Sequence, residues 1–418
     1  MRRLLCFTPE PWPTFRADVD VLLGRELPAC GISVDLVTTR DTAVPWRPWS
    51  GGESDLIEPT TGRYVKHLQR LQQVLRRLRT VHADHYAAIQ VRDMPLMAVG
   101  AMLAGAAKGI PLVYWMSYPI SRGLVLLGRA RRREGQWISW LPTWLRGVFG
   151  EWLLHRVVLP GAAMVVVQSD RMRDDVLRLG VSADRLVVVP MGVDFQAALA
   201  VVQGGAAANP WPGRPVLGYL GTLDRPRRID VMLEMLAEIK QTLPDVLLLL
   251  VGDTSDRSHR EVLNRQVDEL DLSANVVITG WLPTAEAWQR IRCAHVALSP
   301  FPRGELLDSA SPTKVPEYLA LGLPVVCNDN PDQQAIIEAS GAGSCVPYTP
   351  RAFADAVLHW LSMAPNERAR HREAGREHVR RFRDYPQLAQ ALAAEYELRL
   401  AHRIVQPNHD AGDVPPSH

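Results

Sequence analysis

Short apolar runs alternate along this chain with longer stretches in which apolar residues recur every three or four positions. In the first half the runs are Leu4–Thr8, Ser33–Thr38, Ala88–Val91, Leu112–Trp115, Met164–Gln168 and Leu186–Val189. Between them lie helical patterns such as Arg63–Arg79, where Tyr64, Leu68, Leu71, Leu75 and Leu78 share one face and arginines fill the rest. The second half repeats the scheme with Val216–Leu220, Val246–Val251, Val276–Thr279, His295–Ser299 and Val325–Cys327, each followed by a helical segment. Continuous Val/Leu runs, rather than apolar–polar alternation, indicate strands covered on both faces and hence parallel sheets. The expected class is therefore α/β, with two doubly wound Rossmann-like domains in tandem. The Gly/Ala/Pro-rich stretch 201–213 has no periodicity and reads as a linker between domain 1–200 and domain 214–385. A last helix, about 386–404, is expected to pack back on the first domain, and the polar tail 406–418 to fray.

Composition narrows this picture. With 418 residues, 47% apolar and 22% charged, the chain has ample material for two cores and is not of the disordered class. No apolar stretch reaches the roughly 18 residues of a spanning helix, and the opening Met1–Glu10 is broken too soon for a signal peptide, so a cytoplasmic location is expected. The net charge of +2 averages two unlike halves. Residues 1–200 hold 25 Lys+Arg against 18 Asp+Glu, and residues 201–418 hold 22 against 27. The basic half suits a membrane surface or a phosphorylated partner; a chance difference between domains is the competing reading. Five widely spaced cysteines and twelve histidines form no metal-ligand spacing, so no metal and no disulfide is expected. Only four lysines occur, which makes Lys314 conspicuous.

Doubly wound sheets bind ligands at the C-terminal ends of their strands. Gly221 and Thr222 follow one such end and are succeeded by Arg225, Arg227 and Arg228, a basic loop suited to a diphosphate. A solvated basic loop is the plainer alternative. A second loop, Ser311-Pro312-Thr313-Lys314-Val315, opens a helix whose free N–H groups favour an anion. Lys314 stands in the first turn, where the helix dipole disfavours a cation unless a negative ligand is present. Glu317, one turn on, is placed to accept hydrogen bonds from vicinal sugar hydroxyls. A simple surface ion pair with Lys314 is the alternative. Asp18-Val19-Asp20 spells D-x-D but sits at a helix start and reads as N-terminal helix acids.

The segment Ser311-Pro312-x-Lys314-x-x-Glu317-Tyr318-x-Ala320-x-Gly322-x-Pro324-Val325-Val326 resembles the donor-binding motif of family 4 glycosyltransferases, which are retaining enzymes of the GT-B fold. Gln168-Ser169, Val188–Asp194 and Gly221-x-Leu223 are similar to further stretches of that family. The resemblance implies two Rossmann-like domains facing a central cleft and a nucleotide-sugar donor, with no metal or cofactor required. It implies that Arg227 contacts the nucleotide diphosphate and that Glu317 holds the ribose. Pro312–Val315 would then face the phosphates, while Gly280, Trp281 and Leu282 would border the base. The sequence departs from the family pattern at the first acid. Ser309 occupies the strict position, with Asp308 or Glu305 nearby. Thr222 stands where an arginine often follows the glycine, and in place of the usual glycine pair the first loop carries Pro13–Asp18, where Arg16 is a candidate contact to a phosphate or, alternatively, the loop serves the acceptor.

The acceptor would be a glycan or a lipid-diphosphate-linked sugar, with Ser117 and Tyr118 as candidate contacts at the end of a first-domain strand. Tyr114 and Trp115 read as core. No nucleic-acid partner is expected. Residues 123–158 interleave Arg129, Arg131, Arg132, Arg133 and Arg146 with Trp137, Trp140, Trp144 and Trp152. They fit either an interfacial helix on anionic lipid or a buried helical hairpin with a basic turn. Two other functions stay open on this fold: a catalytically silent nucleotide-sugar-binding subunit, and a nucleotide-sugar epimerase.

Overall fold

The computed structural model describes residues 2–58, 63–205 and 209–401, with side chains masked at 63–68 and 401. The polar tail 406–418 and residues 206–208 of the expected linker lie outside the described residues, as do the side chains of Tyr64 and Leu68.

The chain forms two units, each built on one sheet. Among the described residues, the first unit comprises those within 1–167, 173–189 and 388–418, and the second those within 168–172 and 190–387. The first sheet holds β1 (Arg2–Phe7), β2 (Ile32–Thr39), β3 (Ser54–Ile57), β4 (Ala88–Arg92), β5 (Leu112–Met116), β6 (Met164–Val167) and β7 (Leu186–Val188). They run in the order β3-β2-β1-β4-β5-β6-β7, all parallel. The second sheet holds β8 (Val216–Leu220), β9 (Leu247–Val251), β10 (Val276–Ile278), β11 (Val296–Ser299), β12 (Val325–Asn328) and β13 (Gly343–Val346). Its order is β10-β9-β8-β11-β12-β13, again all parallel. Strand order reverses between β1 and β4 in one sheet and between β8 and β11 in the other. These are the switch points at which such sheets open a crevice for ligands.

The unbroken apolar strands are explained by burial on both sides. In and beside β9, Leu247, Leu249 and Val251 pack with the helices Thr284–Ile291 and Lys314–Ala320. Val246, Leu248 and Leu250 point the other way, onto Ile229–Lys240 and Pro350–Ser362. The two-residue period persists but both faces are apolar, so no alternation reaches the sequence.

The division between units falls at Val189/Pro190, and residues 201–203 close the helix Phe195–Gln203 of the second unit rather than starting a linker. The helix Tyr385–Ala401 contributes its residues from Leu388 onward to the first unit, where the buried Tyr396 hydroxyl bonds the Gln90 amide oxygen.

In the second unit several helix C-termini are capped by cations. Arg292 donates to the carbonyls of Val201 and Val202, Arg368 to Met363 and Arg376 to Leu321. These guanidiniums oppose the negative ends of helix dipoles, which accounts for an arginine-rich flank without a ligand. No helix among the described residues is long and apolar enough to cross a membrane.

Candidate functional site

In the second unit the strands β8, β9 and β10 all leave the sheet through a glycine in the left-handed half of backbone space: Gly221 (φ 146°), Gly252 (φ 139°) and Gly280 (φ 78°). Gly221 donates its amide to Val251, and Gly252 bridges Gly280. A Cβ on Gly252 would fall 2.1 Å from the Gly221 carbonyl oxygen, so the two turns are stacked in backbone contact. This places bare main chain at the rim of the switch point. Gly252 was not legible as part of the site, since an isolated Gly-Asp after a strand has no distinguishing spacing.

Lys314 lies directly over this floor. A Cβ on Gly221 would stand 3.1 Å from Lys314 Cε and 3.2 Å from Nζ, and Nζ sits 5.2 Å above the Tyr219 ring. The helix that carries Lys314 is pinned from below, where the Tyr318 hydroxyl accepts from the Leu220 amide at 2.8 Å. That helix, Lys314–Ala320, is only seven residues long and Thr313 provides no side-chain cap. The anion attraction expected from a helix opening at Ser311 therefore rests chiefly on side chains.

The three loop arginines separate by partner. Arg225 pairs with Asp256 at 3.6 Å and Arg228 with Asp230 at 2.7 Å, both at the exposed surface. Arg227 is half-buried, and its guanidinium has neither an ion pair nor a hydrogen bond among the described residues. Its charge acts on Lys314 and on Tyr219. Lys314 and Glu317 likewise form no ion pair with one another among the described residues, which removes the surface-pair alternative. Burial pulls the Lys314 ammonium down to about 8, aided by Arg227 and opposed by Glu317. Burial pushes the Glu317 carboxyl up to about 7 against the attraction of Lys314. Two neighbouring cations without counter-ions among the described residues, beside a carboxyl whose ionisation burial opposes, are chemically suited to an anion that also bears hydroxyls.

The other expected contacts fall as follows. Thr222 is half-buried and its carbonyl accepts from the Tyr219 hydroxyl. Trp281 is exposed beside Gly280, whereas Leu282 packs on the core. Pro312 and Val315 are buried, and Thr313 is half-buried. Ser311 has an architectural part: it donates to Asp332 at 2.8 Å and accepts from the Met191 amide at 2.9 Å. Asp332 in turn pairs with the buried Arg383 at 2.7 Å. The Ser309 carbonyl accepts from Ser169 at 2.7 Å, so the loop is anchored at two points. Of the candidates for the first acid, the Asp308 carboxylate is engaged by Arg303 at 2.7 Å, and Ser309 brings no charge.

In the first unit the switch-point strand β4 ends in Arg92 and Asp93. Arg92 is fully buried and meets Asp18 at 2.5 Å; Arg16 bonds the same carboxylate at 3.2 Å. Burial opposes ionisation of Asp18, but these two guanidiniums win and hold it well below the usual carboxylate range. Asp18 does begin a helix, Asp18–Glu26, yet it is a buried counter-ion rather than a solvated helix-start acid. Asp93, at φ 51°, accepts from the Ser117 amide at 2.8 Å, from the Ser117 hydroxyl, and from the Tyr118 amide. Burial raises its carboxyl against Arg92 and those donors. The sequence pointed to Ser117 and Tyr118 but not to Asp93, which orients them from 24 residues away. Tyr114 and Trp115 are core.

Comparison with known proteins bears on both units. The family described as "Glycosyl transferases group 1" matches residues 214–363, and the "Glycosyl transferase 4-like domain" matches residues 21–192. A phosphatidyl-myo-inositol mannosyltransferase of Mycobacterium tuberculosis is 29% identical over 218 residues, 50% of this chain and 53% of that protein. The match thus spans about half the length of these curated relatives. Among solved structures, sucrose-phosphate synthase from Thermosynechococcus elongatus superposes with a TM-score of 0.69 at 20% identity, covering 96% of this chain and 100% of that one. HepE of Anabaena, solved with UDP, gives 0.66 at 17% over 94% and 99%. WaaG, a glycosyltransferase involved in lipopolysaccharide biosynthesis, gives 0.63 at 15% over 93% and 98%. At these identities the structures share the fold alone. With paired parallel sheets of this kind and family matches in both halves, the chain belongs to the group 1, family-4-like glycosyltransferases of the GT-B fold.

Proposed function

We propose that this chain is a retaining glycosyltransferase that moves a sugar from a nucleotide-diphosphate donor to a glycan or lipid-linked acceptor in polysaccharide or glycolipid synthesis. The observation that carries the reading is Lys314 over the Gly221 turn with Arg227 near enough for its charge to act on it, two cations without counter-ions among the described residues, and Glu317 one helical turn beyond. In the reaction the glycosyl–phosphate bond breaks and the acceptor oxygen bonds the anomeric carbon on the face the diphosphate leaves. The acceptor proton passes to a departing phosphate oxygen. Arg227 and Lys314 hold the charge that grows on the diphosphate, Glu317 holds the ribose hydroxyls, and Trp281 offers a flat face to the base. Charge neutralisation falls to these side chains, so a chelator is expected to leave the rate unchanged. The mannosyltransferase relative, named for phosphatidyl-myo-inositol, supports a lipid acceptor. The same reading seats the chain peripherally on an anionic, cytoplasm-facing membrane through residues 123–158.

A panel of nucleotide sugars read by thermal shift, followed by transfer assays on the donor that binds, tests the proposal. A nucleoside diphosphate that stabilises the fold, with product of retained anomeric configuration, is the expected result. Failure of every nucleotide to bind refutes it. A second reading, a silent binding subunit, is favoured by the uncharged Ser309 and the engaged Asp308. Binding without transfer to any acceptor would select it.

A further inference from the structure

We infer that the helix Trp137–Leu153 lies flat in the headgroup–acyl boundary of an anionic bilayer, anchored by insertion of one apolar face. This rests on the peripheral position proposed above and specifies the side chains that make it. At 3.6 residues per turn, Trp137, Ile138, Leu141, Leu145, Val148, Phe149 and Trp152 fall within an arc of about 120°. All seven are between 37% and 95% exposed. The packed side of the same helix lies opposite and is already satisfied. There Gly147 approaches the preceding helix, Ile120–Arg133, so closely that a Cβ would fall 2.5 Å from the Val125 nitrogen. Gly128 of that helix meets Trp144 in the same way, with a Cβ placed 2.7 Å from the Trp144 Cβ. The helix is thus apolar on two sides, one holding the hairpin together and one covered by nothing among the described residues. Of the two openings left by the sequence, a buried hairpin accounts for the first side only.

Charge selects the occupant. Residues 120–156 contain seven arginines against two glutamates. Arg129, Arg132, Arg133, Arg146 and Arg156 are exposed. Arg146 stands on the helix about 60° beyond the Phe149 edge of the arc, and Arg132 stacks 5.1 Å over Trp140 near the turn. A second copy of this chain would bring two patches of the same sign together. A bilayer with anionic headgroups instead offers hydrocarbon to the arc and phosphate to its cationic border. The helix, about 25 Å long, is shaped to lie in the interface and not to span it.

Flotation with phosphatidylcholine vesicles, with and without a third of phosphatidylglycerol, tests this on the full chain at about 150 mM salt. Wild type should float with the anionic vesicles. A Trp137→Ser/Phe149→Ser/Trp152→Ser variant should lose at least tenfold in partitioning while its melting temperature holds. Arg129→Glu/Arg133→Glu should lose the preference for anionic over neutral vesicles. Equal flotation of the apolar variant and wild type overturns the inference. So does a wild-type dimer, seen by light scattering, that becomes monomeric in the apolar variant while vesicles recruit neither. Nucleoside-diphosphate binding in free solution is measured in parallel. Loss of flotation with binding intact refutes only the docking, and flotation without nucleotide binding refutes only the transferase reading.

Discussion

Replacing Glu317 by Gln separates a functional carboxyl from a structural one, because the two roles give opposite signs. The group ionises near 7 in the folded chain against 4.5 as its ordinary value. A carboxyl with a raised folded value binds its proton more tightly in the native state. Its contribution to stability is full below about pH 4.5 and is lost as pH rises through 7. At pH 7.5 the wild type therefore carries a penalty that Gln does not. The full shift would be worth roughly 3 kcal/mol, at about 1.4 per unit. Because Glu317 is only half-buried, water relieves most of that, leaving ~1 kcal/mol. For a unit of this size the variant should melt about 2–4 °C higher at pH 7.5, with the gap closing toward pH 5. Donor kcat/KM should meanwhile fall tenfold or more, since an amide replaces a charged acceptor of two hydroxyls. Melting curves across this pH range and initial rates check both halves. A variant that melts below wild type at pH 7.5 with unchanged kinetics would refute the reasoning and make Glu317 a stabilising partner of Lys314. Donor affinity of the wild type should weaken below pH 7, where Glu317 gains its proton, and above pH 8, where Lys314 loses its own.

Three further outcomes follow from the geometry. Calorimetry should show Arg227→Ala and Lys314→Ala weakening nucleoside-diphosphate binding roughly tenfold to a hundredfold, whereas Arg225→Ala, whose partner is Asp256, should change it by less than about threefold. Gly252→Ala forces a Cβ into the Gly221 carbonyl and a side chain into φ 139°, so it should cost about 2 kcal/mol or more in denaturant unfolding and lower donor affinity with it. Asp18→Ala takes from the fully buried Arg92 its closer carboxylate, leaving only Asp93 at 3.6 Å, and should destabilise the first unit by about 2 kcal/mol, which a double variant with Arg92→Leu should partly restore.

Much of the fold was legible because doubly covered strands must be apolar on both faces. Residues 216–220, 247–251 and 112–116 announce themselves as runs that no surface strand would tolerate. The strands that escaped notice are the edge strands β3 and β13. Each has one neighbour and only partial burial, so Ser54–Ile57 and Gly343–Val346 need no apolar run. The stretch Ser311 to Val326 was legible for a similar reason: it compresses a loop, a helix and a strand into one run with fixed spacing. What only the tertiary structure decided was pairing. Arg225, Arg227 and Arg228 are equivalent in sequence, and their difference lies in Asp256 and Asp230, which the fold brings to two of them and withholds from the third. Asp93 and Ser117, or Ser311 and Asp332, are likewise strangers along the chain that the sheet ends bring within hydrogen-bond reach. Sequence specifies which side chains are charged. Whether a charge is spent on the protein itself or left for a ligand depends on distances of a few ångströms between segments far apart in the chain, and only folding sets those.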